Sequence, residues 1–190
     1  DCPEIHPRFA REQEGPFRPF RRDPETLSRE WAVPGMKGFE HRVGGLEKNH
    51  DGVLSNEPAN HELMVSERAG KVERVAMEIP PLTVDGDQSG DILVVGWGGT
   101  YGHILTAVEE MRAEGRNISF AHFDYISPLP SNASEVFSGF RRIIVCELNS
   151  GQFAGYLRNR LPGHDYFQCN KVQGQTFLVK HLVDCVTETA

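Results

Sequence analysis

The stretch from Asp91 to Gly115, "DILVVGWGGTYGHILTAVEEMRAEG", constrains the fold more than any other part of the chain. A continuous apolar run enters a glycine-rich turn, and an amphipathic segment leaves it. A run such as "DILVVGW" suits a strand covered on both faces, which is the situation of a strand inside a parallel sheet. "GHILTAVEEMRAEG" places Ile104, Leu105, Val108 and Met111 on one helical face, with Gly115 at the position that stops the helix. The pattern then repeats. "NISFAHF" (117–123), "RIIVCEL" (142–148) and "YFQCN" (166–170) read as strands. "SNASEVFSGF" (131–140), "SGQFAGYLRNRL" (150–161) and "TFLVKHLVDCVTETA" (176–190) read as helices, with Ser131 or Asn132 as a cap and Glu135 placed for a capping box. Strands alternating with helices predict a doubly wound, mostly parallel α/β sheet with right-handed crossovers.

The N-terminal part is built differently. Seven prolines lie between Pro3 and Pro58, and no period of 2 or 3.6 is sustained there, so the segment reads as extended or looped. Its large apolar residues, among them Phe9, Phe17, Phe20, Trp31, Phe39 and Leu46, predict that it packs against something. "NHELMVSERAGKVERVAMEI" (60–79) reads as a helix capped by Asn60 and stopped by Pro80 and Pro81, followed by a loop over 83–90. The composition therefore divides the chain into a connecting arm over 1–88, with its helix at about 60–79, and an α/β domain over 89–190.

Composition excludes some classes. A net charge of −7 argues against a nucleic-acid partner. No apolar run approaches the roughly 20 residues that a membrane span needs. The polar, Pro- and Arg-rich start is unlike a signal peptide and carries no initiating Met, so the expectation is a mature product or a piece of a longer chain. Cys2, Cys146, Cys169 and Cys185 show no metal-ligand spacing and read as reduced cysteines of a cytoplasmic protein. The eight histidines are scattered, "HEL" at 61–63 is not followed by the second histidine of a zinc motif, and no G-x-S-x-G elbow is present. Nor is there a thiamine-binding G-D-G stretch with trailing asparagines; "DGDQSG" at 85–90 has no strand before it.

The glycine turn invites a nucleotide reading. Gly96 and Gly98 match the first two positions of the dinucleotide fingerprint, but the third falls on Tyr101, and Gly102 comes one residue late. Asp124 stands near the place of a ribose-binding acid. After the third strand, "ELNSGQ" offers a second constellation at the same predicted edge, so Gly98, Gly99, Thr100, Glu147, Asn149 and Gln152 form a candidate edge for a partner or another domain. The plainer alternative is that Asn149 or Ser150 caps the next helix and Gly151 makes its turn.

The motifs "PGMKGFEHRVGGLEK", "NHELM", "VVGWGGTYG", "SPLP" and "ELNSGQ", in this order, resemble the alpha subunit of 2-oxoacid:acceptor oxidoreductases, in particular the 2-oxoglutarate:ferredoxin or flavodoxin type. The resemblance covers nearly the whole chain and implies its transketolase C-terminal-like region. It implies an upstream pyrimidine-binding domain in the same subunit and a beta subunit carrying thiamine diphosphate and an iron–sulfur cluster. Magnesium would accompany the thiamine, coenzyme A would be a substrate, and ferredoxin or flavodoxin the electron acceptor. On this reading the chain is a structural and assembly domain of a cytoplasmic hetero-oligomer, binds no cofactor itself, contributes no catalytic residue, and is inactive alone. Two alternatives stay open: a stand-alone dinucleotide-binding domain using the Gly96–Gly102 turn, and a regulatory or scaffold module.

Overall fold

A computed structural model describes residues 6–7, 9–11 and 15–189. The chain divides into two compact units, Asp1–Val75 and Ala76–Ala190. Cys2 lies outside the described residues.

The N-terminal unit holds one helix, α1 (Pro58–Arg74), which continues into a 3-10 turn at Val75–Met77. The helix starts earlier than its sequence suggests. Pro58 occupies the first turn, where its missing N–H costs nothing, so Glu57 stands at the cap position and Asn60 lies inside the helix. The rest is turns with isolated bridges, Phe9 to Trp31, Arg22 to Arg29 and Lys48 to Leu54. Polar contacts tie this loop region to α1. Arg22 Nε donates to Glu67 Oε2 at 2.9 Å, and His50 Nε2 lies 3.0 Å from Glu67 Oε1. The Phe17 and Phe39 rings meet at 4.8 Å, while Trp31, Val43 and Leu46 stay exposed.

The C-terminal unit is a five-stranded sheet in the order β1-β3-β2-β4-β5. Its strands are β1 (Val84–Asp85), β2 (Gly90–Trp97), β3 (Ile118–Phe123), β4 (Phe140–Glu147) and β5 (Asp165–Asn170). β2 to β5 are parallel, and the short β1 adds antiparallel to β3 through Val84 opposite Ala121. The segment 83–90, expected as a loop, thus contains an edge strand. Two residues carry no readable period, and the neighbouring chain is fixed by Asn132. Its amide accepts from Leu82 N at 2.7 Å and donates to Leu82 O at 2.9 Å. With Asn132 so occupied, its side chain makes no cap hydrogen bond and the expected capping box does not form.

Four helices cover the sheet: α2 (Tyr101–Ala113), α3 (Ala133–Ser138), α4 (Gln152–Arg160) and α5 (Val179–Thr189). Leu93, Val95, Phe123 and Val145 pack with Phe137 of α3 and Leu157 of α4 on one face. Ile92, Val94, Phe120 and Ile144 pack with Ile104 and Val108 of α2 and Leu182 of α5 on the other. Alternate residues of each strand therefore serve opposite cores, which is why the strand sequences are apolar without alternation. Gly115 closes α2 at φ +86°, with its N–H bonded to Arg112 O and that of Arg116 to Met111 O.

One cysteine expectation is corrected. Cys169 of β5 and Cys185 of α5 form a disulfide, their Cα atoms 6.1 Å apart. The pairing arises because α5 lies back across the face of β5, a proximity that a separation of 16 residues does not announce. Among the described residues Cys146 is free and buried.

Candidate functional site

The doubly wound arrangement sends β2 to α2 on one face and its neighbour β4 to α4 on the other. The carboxyl ends of these two strands form the crevice where sheets of this kind receive ligands or partners. The turns bearing Gly98, Gly99 and Thr100 on one side and Glu147, Asn149 and Gln152 on the other both lie beyond this edge.

The β4 turn spends its polar groups on the fold. Asn149 Oδ1 accepts the N–H groups of Gly151 and Gln152 at 2.8 and 3.0 Å. Glu147, wholly buried, accepts the N–H of Phe153 on Oε2 at 2.9 Å and that of Ala154 on Oε1 at 3.0 Å. Two side chains thus satisfy the four backbone donors that open α4, and the carboxylate sits at the positive end of the helix dipole. Gly151 takes the left-handed conformation, φ +99°, that lets Asn149 fold back. The capping alternative for Asn149 and Gly151 describes this turn, and Glu147 joins it. Gln152 is exposed.

The β2 turn is organised by Thr100. Its buried hydroxyl accepts the Trp97 N–H at 3.2 Å and donates to the Trp97 carbonyl at 2.9 Å. Gly96 supplies the clearance between strand and helix: a Cβ there would strike Ile104 Cδ1 and approach Thr100 Oγ1 to 2.8 Å. In the dinucleotide fingerprint the third glycine performs that service; here the first does, so a tyrosine in the third position is tolerated. Gly98 adopts φ +59°, and space above Gly98, Gly99 and Gly102 is open.

His122 is the register partner of Gly96 on β3. Partial burial lowers its pKa below the ordinary imidazole value, opposed by Asp124 and by the nearby Gly98 backbone. Its Nδ1 is buried without a partner and faces Gly96. Asp124 is exposed, 3.9 Å from His122 Nε2. The Cys146 thiol, pushed up to about 12 by burial and then by Glu147, stays protonated.

Aromatic and apolar side chains also stand exposed around these turns. Tyr101, Tyr125, Ile126 and Leu148 are all exposed at the ends of β2, β3 and β4. Sequence reasoning missed Tyr125, Ile126, Leu148 and His122, although Tyr125 and Ile126 lie two and three residues past the end of β3, the kind of position that marked the other two turns.

No protein-family model matches the chain. It is 42% identical over 183 residues to the 2-oxoglutarate oxidoreductase subunit KorA of Mycobacterium tuberculosis, a match covering 95% of this chain and 27% of that protein. It is 34% identical over 141 residues to subunit alpha of 2-oxoacid:ferredoxin oxidoreductase 1 of Aeropyrum pernix, covering 71% of this chain and 22% of the relative. Among solved structures it superposes on 2-oxoglutarate:ferredoxin oxidoreductase from Magnetococcus marinus, determined with 2-oxoglutarate, coenzyme A and succinyl-CoA bound. That match has a TM-score of 0.83 at 25% identity and covers 95% of this chain and 32% of the other. The chain thus spans about a fifth to a third of these relatives.

Proposed function

Because the chain belongs to the alpha-subunit family of the 2-oxoacid:ferredoxin oxidoreductases, we propose that it is a structural and assembly region of such a subunit. The carboxyl edge of its sheet docks against the remainder of the enzyme. That enzyme decarboxylates a 2-oxoacid oxidatively, 2-oxoglutarate by analogy with the relatives' names, and forms an acyl-CoA. Electrons leave through the iron–sulfur cluster of a beta subunit to ferredoxin or flavodoxin. Thiamine diphosphate with magnesium supplies the carbanion chemistry in such an enzyme.

The side chains at this edge do not fit that cofactor. Both oxygens of Glu147 and the side-chain oxygen of Asn149 are already taken by α4, and Thr100 is taken by Trp97. Among the described residues no group of three or more His, Cys, Asp or Glu is placed to hold a metal ion. The work left for the edge is contact, and the observation that carries this reading is its composition. Thr100, Glu147 and Asn149 spend their polar atoms on the turns, while open glycines and the exposed Tyr101, Tyr125, Ile126 and Leu148 face outward beside the exposed Asp124 and Gln152. Glycine at 98 and 99 allows a neighbouring backbone to approach closely.

The test is Gly99→Val in the complete enzyme. The side chain enters open space, so the unit should fold and melt normally while subunit assembly and turnover fall. Intact assembly with full activity sinks the docking role. Turnover by the 190-residue chain alone overturns the assignment of catalysis to the rest of the enzyme.

A further inference from the structure

We propose that the N-terminal unit carries a binding site for an organic phosphate. The proposal stands on that unit alone and does not depend on the docking role of the sheet edge. A cavity of about 650 Å³ lies beside α1, within the size range of small-molecule sites. Five cations line it, Arg22, Arg29, Lys48, Arg68 and Lys71, against one carboxylate, Glu47. A second concavity of about 200 Å³ shares Arg22 and Arg29 with it.

The charges in this cavity do not balance. Glu47 is engaged by His61 Nδ1 at 2.9 Å and Arg68 Nη2 at 3.0 Å, and Arg22 is engaged by Glu67. Among the described residues Arg29, Lys48 and Lys71 have no carboxylate partner. Lys48 is the telling one. It is 2% exposed, and its Nζ donates to the carbonyls of Gly44 at 3.1 Å and Leu46 at 2.6 Å. A buried ammonium ordinarily has an anion beside it, because carbonyls alone leave its charge uncompensated. The same ammonium lies 5.7 Å from the Phe20 ring, and the Arg29 guanidinium lies 4.6 Å from that ring's centroid. Phe20 thus holds two unpaired cations at one end of the cavity. Arg22 stands close enough to Arg29 to depress its pKa, after the larger effect of burial.

An anion is the missing component, and Arg29 favours phosphate. Its planar fork binds it through paired hydrogen bonds, and a dianion answers Lys48 as well. Met64, Val72 and Val75 form the remaining wall, an apolar surface that suits the organic part of the ligand.

Calorimetry on the intact subunit in its complex tests this with four probes: inorganic pyrophosphate, ADP, adenosine and a glutamate-rich peptide. ADP is expected to bind, pyrophosphate more weakly, and adenosine not at all, with ADP affinity falling as salt rises. Lys48→Met and Arg29→Gln should each weaken ADP about tenfold, the scale of one charge-assisted contact. Lys71→Gln, at an exposed position, should weaken it in the same direction, so a folding defect at Lys48 leaves the question answerable. Silence of ADP and pyrophosphate at millimolar concentration overturns the proposal. So does ADP binding that all three variants leave unchanged, which places the nucleotide elsewhere in the complex. Binding of a glutamate-rich peptide with no response to phosphates overturns it in favour of a protein partner.

Discussion

Glu147 Oε2 accepts the backbone N–H of Phe153 at 2.9 Å, joining the last residue of a central strand to the first turn of the helix that follows. A wholly buried carboxylate held this way is a structural group. Replacing Glu147 with alanine strands two buried N–H donors, and hydrogen bonds to charged groups are the costly ones to lose. The expected destabilisation is about 3 kcal/mol, a fall in Tm of roughly 10 °C. Glu147→Gln should lose less, since its amide oxygen can still accept one bond. Thermal unfolding of both variants checks the order; a Glu147→Ala protein as stable as the parent refutes the capping role.

Reduction should loosen the attachment of α5. The Cys169–Cys185 bond closes a loop with a separation of 16 residues, and a cross-link of that span stabilises by about 3 kcal/mol in the chain-entropy account. Intact mass before and after thiol alkylation counts the free cysteines, and melting with and without dithiothreitol gives the stability change. Cys146 should alkylate only after unfolding, since its thiol is buried and its pKa is pushed up to about 12. Prompt alkylation of Cys169 and Cys185 in the unreduced native protein contradicts the bond.

The parallel sheet was legible because both its faces are covered. "DILVVGW" and "RIIVCEL" are uninterrupted apolar runs only because Leu93 and Ile92, or Ile143 and Ile144, serve opposite cores. What stayed hidden was set by contacts distant in sequence. β1 exists because Val84 meets Ala121, with Asn132 holding the chain beside it, and the disulfide because α5 folds back over β5. At the edge, Glu147 could be singled out, but not that the fold uses up its oxygens. A Glu at a strand end can face solvent, a ligand or the next helix, and only the placement of Phe153 and Ala154 decides among these. Asn149 was easier to read, because Asn two residues before a glycine is a local capping signal.

Acidification should weaken the glycine turn through His122. Its folded pKa lies below the unfolded value of about 6.5, so the unfolded chain binds the proton more readily. The contribution of His122 to stability is therefore complete above about pH 6.5 and is lost as pH falls through the folded value. Asp124, 3.9 Å away, works against this by favouring the charged ring, and the Gly98 backbone does the same. Melting temperatures of the parent and of His122→Asn, followed from about pH 7.5 to 5.5, should converge toward the acid end. Curves that stay parallel remove His122 from the acid response.

Gly96 and Gly99 should separate fold from contact within one turn. At Gly96 an added methyl meets Ile104 and Thr100, both buried, and Thr100 is pinned by two bonds to Trp97. Gly96→Ala should therefore destabilise by about 1 to 3 kcal/mol, the usual cost of overpacking a core. At Gly99 the same methyl enters open space, so Gly99→Ala should leave stability within about 0.5 kcal/mol of the parent. Equilibrium unfolding of the two variants side by side is the measurement. Equal losses at both positions refute the assignment of helix clearance to Gly96, and with it the account of why this turn tolerates tyrosine where a dinucleotide-binding turn carries glycine.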